Sequence, residues 1–190
     1  MTRLPRVIGA SQLPLSACGC LPFVHLGADR PFPECRNAVN YNPDESSRQY
    51  SGYSSSSWRY SQLDHSSRCW IARYARAGEW MQINAGKLLA VGGVITQGRR
   101  DSDQWVTEYQ VQTTKDGSTW TSVGTFSGNR DRNTKVKRMF AKPVDAKSVR
   151  FVVQKFWNGV AMRAALVVCP GPWPRRPLSA QGSPPARATP

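Results

Sequence analysis

The chain has 190 residues and a formal net charge of +14, with seven Trp, six Tyr and six Phe. That length suits one domain of ordinary size with residues to spare, and no run of about 18 apolar residues is present to form a membrane-spanning helix. Five Cys without a C-x-x-C pair, and two His well separated at positions 25 and 65, exclude an ordinary zinc site.

Residues 1–34 open with Arg3 and Arg6 ahead of a mildly apolar stretch, Val7 to Leu26. That is the outline of a secretory signal, but Pro14 and Pro22 interrupt it; a cleaved signal and a low-order leader both stay open. Cys35 and Cys169 then bracket everything that is patterned, which suggests a staple joining the two ends of one domain. Closing so long a loop stabilises by about 4–5 kcal/mol in the chain-entropy model, and such a bond needs an oxidising compartment. Cys69 is left as a buried thiol, and Cys18 and Cys20 fall outside the bracket. Between the bracketing cysteines stand 20 Lys and Arg against 10 Asp and Glu. The excess suits an anionic partner, or simply a solvated basic face, since the basic residues are spread over many segments.

Within the bracket, residues 41–68 are rich in Ser, Tyr, Asn and Arg, with SGYSSSSW at Ser51 to Trp58. Tyr50, Tyr53, Trp58 and Tyr60 need burial or a ligand, so this reads as an ordered loop. A weak helical pattern runs over Leu63 to Ala77. Strands follow: Glu79 to Asn84, closed by Ala85-Gly86; Val91 to Gln97, softened by Gly92-Gly93; Glu108 to Thr114, which alternates with Tyr109, Val111 and Thr113 on one face. Asp116-Gly117 marks a turn, with Trp120 anchoring the return strand. Thr134 to Phe140, Ser148 to Gln154 and Val160 to Val168 complete the series. Strands every 10–15 residues with turn residues between them define an all-β, antiparallel sandwich or barrel. From Pro170 the chain is Pro-rich, basic and without periodicity, a disordered tail or the stub of a further domain.

The chemistry of an enzyme is missing. No phosphate-binding glycine loop occurs, and Asp64-His65-Ser66 are sequence neighbours, which cannot form a catalytic triad. The conspicuous polar element is Arg99 to Gln104, six residues carrying four charges and no apolar side chain. Asp101 and Asp103 stand two apart, a spacing suited to calcium or to hydrogen bonding with a ligand, or to solvated carboxylates offsetting Arg99 and Arg100. RNA-type binding is disfavoured, because aromatic and basic residues do not interleave on a strand.

In order along the chain stand Cys35, the Ser/Tyr loop ending in Trp58, EWMQINAGK (Glu79 to Lys87) and GGVITQGR (Gly92 to Arg99). QWVTEYQVQ (Gln104 to Gln112), DGSTW (Asp116 to Trp120) and FSGNRDRNT (Phe126 to Thr134) follow. KSVRFVVQKFWNG (Lys147 to Gly159), Met162-Arg163 and Cys169 end the set. Together these resemble a discoidin domain, also called the coagulation factor V/VIII type C domain, over residues 35–169; QGRRDSDQWVT and the DRNT and WNG pieces are similar to those of slime-mould discoidin lectins. The resemblance implies a distorted antiparallel jelly-roll barrel of eight main strands, galactose-binding-domain-like. It implies a disulfide between Cys35 and Cys169, and ligand binding at one end on protruding loops, here Tyr53 to Ser57 and Arg99 to Gln104. Family ligands include galactose-type sugars, phosphatidylserine membranes, collagen and other proteins.

The loops carry polar tips, which argues for a glycan over an inserted bilayer: charged side chains cost about 2.5–3.5 kcal/mol each in hydrocarbon. Asn40, Arg73, Arg99, Asp101, Asp103 and Asn158 are the candidate polar contacts, and Tyr41, Tyr53 and Tyr74 the candidate rings. Arg73 and Tyr74 are equally readable as cover for the barrel end. Trp58, Trp80, Trp105, Trp120 and Trp157 read as core, and Arg163 as a structural hydrogen-bonding group. The expected role is non-enzymatic binding or adhesion outside the cell, secreted or at the surface. Anionic phospholipid, a matrix protein, or a carbohydrate-binding module cut from a larger enzyme are the alternatives. No cofactor is required, though the resemblance allows a structural calcium ion. The tail is too short for the second lectin domain of the slime-mould proteins, and Arg99-Arg100-Asp101 replaces their Arg-Gly-Asp. On this reading Arg99→Ala loses ligand with little loss of stability.

Overall fold

The structure, a computed structural model, describes residue 35, residues 37–65 and residues 68–170. The leader with Cys18 and Cys20, and the Pro-rich tail, lie outside the described residues. Eight strands form: β1 (Val39–Tyr41), β2 (Arg48–Tyr50), β3 (Trp70–Ile71), β4 (Trp80–Gln97), β5 (Trp105–Thr114), β6 (Thr121–Ser127), β7 (Val136–Trp157) and β8 (Ala161–Val168). Two 3-10 turns, Glu45–Ser47 and Ser56–Trp58, are the only helical pieces among the described residues.

Every pairing is antiparallel, in the order β1-β8-β4-β7-β5-β6, with β2 added on β4 and β3 on β8. Register splits the long strands. The first part of β4, Trp80 to Asn84, pairs with β7 residues 148–152 and with β2, and that part of β7 pairs onward with β5. The second part of β4, from Leu89, pairs with β7 residues 136–146 and with β8. Two sheets therefore share continuous strands that bend between them, with β1 and β6 at the ends of the pairing order. Four expected strands are thus halves of two. EWMQIN and VGGVITQ join as β4 across an irregularity at Asn84 to Leu89, where Gly86 takes φ 73°, and the 134–140 and 148–154 segments join as β7. Turn residues here mark a bend in a strand rather than its end. The weak helical pattern over Leu63 to Ala77 forms no helix among its described residues, which are irregular apart from β3.

Alternation puts Met81, Ile83, Tyr109, Val111, Val149, Phe151 and Val153 into one core with Trp70, Val94, Val106, Met162 and Leu166. Trp70 is the indole that is fully buried; none of the five tryptophans assigned to the core is. Trp157 is 54% exposed, because it follows the last inward residue of β7 and faces out.

Cys35 and Cys169 are bonded, 134 residues apart in sequence. Gly92 makes room for them: a Cβ there would lie 2.7 Å from each sulfur, closer than any side chain tolerates. Cys69 is a buried free thiol, its pKa pushed up to about 12 chiefly by burial. Reduction of the bridge should lower the unfolding free energy by about 5 kcal/mol for a loop of this length, seen as a fall in the urea midpoint with reductant. An unchanged midpoint would mean that the bond constrains nothing.

Candidate functional site

The connections after β4, after β6 and between β7 and β8 all emerge at one end of the barrel, where the chain between β2 and β4 also lies. A polar pair holds them. Gln97 and Arg163 are register partners on β4 and β8, and both are buried. Arg163 donates from Nε to the Gly98 carbonyl (2.8 Å), from Nη2 to the Arg132 carbonyl (3.0 Å) and Asn133 Oδ1 (2.9 Å), and from Nη1 to the His65 carbonyl (3.4 Å). Gln97 accepts the Asp64 amide (2.9 Å) and donates to the Asn133 carbonyl (2.7 Å). The structural role expected of Arg163 is what the geometry shows.

The charged loop, Arg99 to Gln104, is braced from within. Arg99 holds Asp101 through both carboxylate oxygens (2.6 and 3.2 Å) and Gln104 Oε1 at 2.8 Å, and its guanidinium lies 4.4 Å over the Trp58 ring. Asp103 pairs with Arg132 of the loop after β6 at 2.7 Å. Both carboxyl pKa values are held below the ordinary range, Asp101 mainly by its bond to Arg99 and Asp103 mainly by its bond to Arg132. The two carboxylates therefore turn to different arginines rather than to a common point. Among the described residues no group of three or more His, Cys, Asp or Glu is placed to hold a metal ion. Asn158 is exposed in the left-handed region (φ 53°) and its carbonyl accepts Gln104 Nε2 at 3.4 Å.

A second corner is open. The chain at Ser51 to Tyr53 lies against residues 72–79: Ser51 Oγ donates to the buried Glu79 carboxylate (2.5 Å) and accepts the Trp80 amide (3.1 Å), and Trp70 Nε1 donates to the Gly52 carbonyl (2.8 Å). On one side of this contact a cavity of about 510 Å³ is lined by Arg73, Tyr74, Arg76, Glu79 and Trp80. On the other, one of about 680 Å³ is lined by Gln49, Tyr53, Arg59, Tyr60 and Trp80, among others. Both are of the size of small-ligand sites, and Trp80 is common to them. Its indole is fixed by Arg150, whose guanidinium lies between Trp80 (4.1 Å) and Trp120 (3.9 Å). Tyr74, half exposed, is flanked by Arg73 (5.5 Å) and Arg76 (4.8 Å), and Arg76 is paired to Glu79 at 2.8 Å.

The expected contacts therefore separate into three places. Tyr53, Arg73 and Tyr74 reach the cavities. Arg99, Asp101, Asp103 and Asn158 share a neighbouring corner, where the first three brace loops. Asn40 and Tyr41 sit on β1, paired with Val167 and Leu166, Tyr41 against the core and Asn40 in solvent. Sequence reasoning placed Trp80 in the core, named Tyr60 only as a ring needing burial or a ligand, and gave no role to Arg59 and Arg76, all of which line these cavities; the run RYARAGEW, dense in rings and guanidinium groups, was the available signal for Arg76 and Trp80. A further cavity of about 550 Å³ lies at the opposite pole between the β5–β6 turn and the Pro143 bend. Its Asp116 is spent on the Ser118 and Thr119 amides and the Thr114 hydroxyl.

An antiparallel barrel that offers cavities at one end suits a binding domain. The chain belongs to the F5/8 type C domain family, which it matches over residues 44–166. Bos taurus lactadherin is 36% identical over 132 residues, 62% of this chain and 31% of that protein; the chain thus spans about a third of that relative. In fold it is similar to discoidin II of Dictyostelium discoideum (TM-score 0.57, 24% identity, 65% of this chain and 55% of that one). A family 32 carbohydrate-binding module of C. perfringens NanJ, solved with galactose, has the same fold (TM-score 0.55, 14% identity, 68% and 98%).

Arg99 is now expected to matter first for stability. Arg99→Ala releases Asp101, Gln104 and Trp58 together and should cost about 1–2 kcal/mol, measured by chemical denaturation. No loss of stability would return Arg99 to the list of free ligand contacts.

Proposed function

We propose that this domain is a non-enzymatic module that binds a galactose- or N-acetylgalactosamine-type sugar in the paired cavities at Trp80. One observation carries the reading: a pinned indole shared by two cavities, with Tyr53 and Tyr74 as rings and Arg73 as a planar donor beside them. A sugar presents an apolar face and a fan of hydroxyls, and rings with planar forks answer both. The galactose-bound neighbour supports the fold's suitability for such a ligand. A secreted or surface-exposed setting goes with this reading, supported by the Cys35–Cys169 bond, which persists in oxidising compartments.

A second reading is favoured by exposed arginines at the loop end, among them Arg59, Arg100 and Arg130: attraction to an anionic phospholipid surface, at about 1 kcal/mol per nearby basic residue. It predicts binding to phosphatidylserine vesicles that fades at high salt and ignores added sugar.

Calorimetry with N-acetylgalactosamine separates the two. Tyr74→Ala and Arg73→Ala should each weaken sugar binding at least tenfold, about 1.4 kcal/mol, with the melting temperature unchanged because both side chains are exposed. Absence of sugar binding in the unaltered protein, together with flotation on phosphatidylserine vesicles, would replace the first reading by the second.

A further inference from the structure

β2, the first part of β4, the last part of β7, β5 and β6 present one outward face, and its residues are set by register. Gln49, Gln82, Arg150, Gln112 and Ser122 form one row across the five strands. Trp80, Val152, Gln110 and Thr125 form the next. Toward the loop end follow the pair Glu108 and Lys155 and then the pair Trp105 and Trp157. Their neighbours in sequence, Met81, Phe151, Val153, Tyr109 and Val111, all point into the core.

Three properties of this face call for a partner. Trp157 is the most exposed large apolar side chain among the described residues, at 54%, and it is held flat on Trp105 with centroids 6.2 Å apart and planes 14° from parallel. An exposed indole already fixed in orientation has lost its rotamer freedom before anything binds. Gln112 donates to Gln110 at 2.9 Å, which orders both amides and leaves the Gln110 nitrogen and the Gln112 oxygen without a protein partner. Charge on the face is sparse: Lys155 pairs with Glu108 at 3.1 Å, and the Arg150 guanidinium, 4.1 Å from the Trp80 ring and 3.9 Å from the Trp120 ring, donates to Gln82 Oε1 at 3.1 Å. A face of ordered amides and indoles complements a polyhydroxyl chain.

We propose that this face is a lateral track for an extended chain of galactose-type units. The track begins at Trp80, which lines both end cavities and also stands in the second row, and it runs along β5 and β7 to Trp157. Trp80 is opposite Val152, five residues before Trp157 on β7, about 17 Å of strand, room for more than one sugar ring. The proposal rests on the sugar reading of the cavities and extends it: the cavities take the end of a glycan and the sheet face takes the chain behind it.

The test is calorimetry on the full chain with galactose and with β-1,4-linked galactotetraose, repeated on Trp157→Ala. That substitution removes an exposed side chain and should leave folding intact, confirmed by an unchanged melting curve. The expected result is at least tenfold tighter binding of the tetraose than of galactose. Trp157→Ala should erase that advantage and leave galactose binding as it was. Equal affinities for the two sugars, or a tetraose advantage that survives in Trp157→Ala, overturn the track. If galactose alone does not bind, the reading of the cavities fails, and the track is then decided by whether the tetraose binds and loses binding in Trp157→Ala. A dimer in sedimentation that Trp157→Ala dissociates, with no chain-length effect, makes the face a self-contact and also overturns it.

Discussion

Arg163 is a cation 1% exposed, and none of its hydrogen bonds goes to a carboxylate. Burial pulls its pKa below the usual arginine value, and the charge is tolerated because carbonyl and amide oxygens from three separate loops converge on its planar fork. The cost of burying it is offset only if those loops stay where they are, so one side chain on β8 couples the ends of β4, β6 and the β2–β3 connection. Gln97, its register partner, ties the same loops from β4. Gly98 completes the junction, since a Cβ there would come within 2.6 Å of the Asp131 carbonyl. The architecture of the binding end follows from this polar knot more than from any apolar contact.

Arginine does similar work elsewhere. Arg48 is buried and donates to the Pro43, Ser61 and Ala164 carbonyls, the Ser61 hydroxyl and Asn42 Oδ1, joining β2 to β8. Arg99 stacks on Trp58 and closes its own loop; Arg150 stands between two indoles. Four members of the basic excess are therefore scaffold. A net charge of +14 read as a whole invites an anionic partner, yet the fold has spent part of that charge on oxygen atoms and rings of its own. What remains in solvent lies both on loops, as at Arg59, Arg100 and Arg130, and on strands, as at Lys87, Lys137 and Lys155.

Much of the fold was legible because its marks are local or ordered along the chain: alternation in β5, the Asp116-Gly117 turn, and cysteines at both ends of the pattern. The continuity of β4 and β7 was not, because glycines and a proline that normally end strands serve here as bends, and only pairing with a neighbour tells the two apart. The site was half legible. Tyr53, Arg73 and Tyr74 were identifiable as rings and forks on loops. The braces within Arg99 to Gln104 were not, since a charged loop that binds itself has the same composition as one that binds a ligand. Trp80 was misplaced for a similar reason: an indole next to a buried β-strand residue looks like core, and its partner Arg150 is 70 residues away in sequence.

The central claim is that ligand recognition belongs to the Trp80 corner while the charged loop supports it. A crystal structure of the protein with N-acetylgalactosamine tests this most directly. The account predicts an ordered sugar ring in a cavity lined by Trp80, in contact with Tyr53 or with Arg73 and Tyr74, and the Arg99–Asp101 pair unbroken. A sugar ordered on the crest of Arg99 to Gln104, with that pair opened and the Trp80 cavities empty, would contradict it.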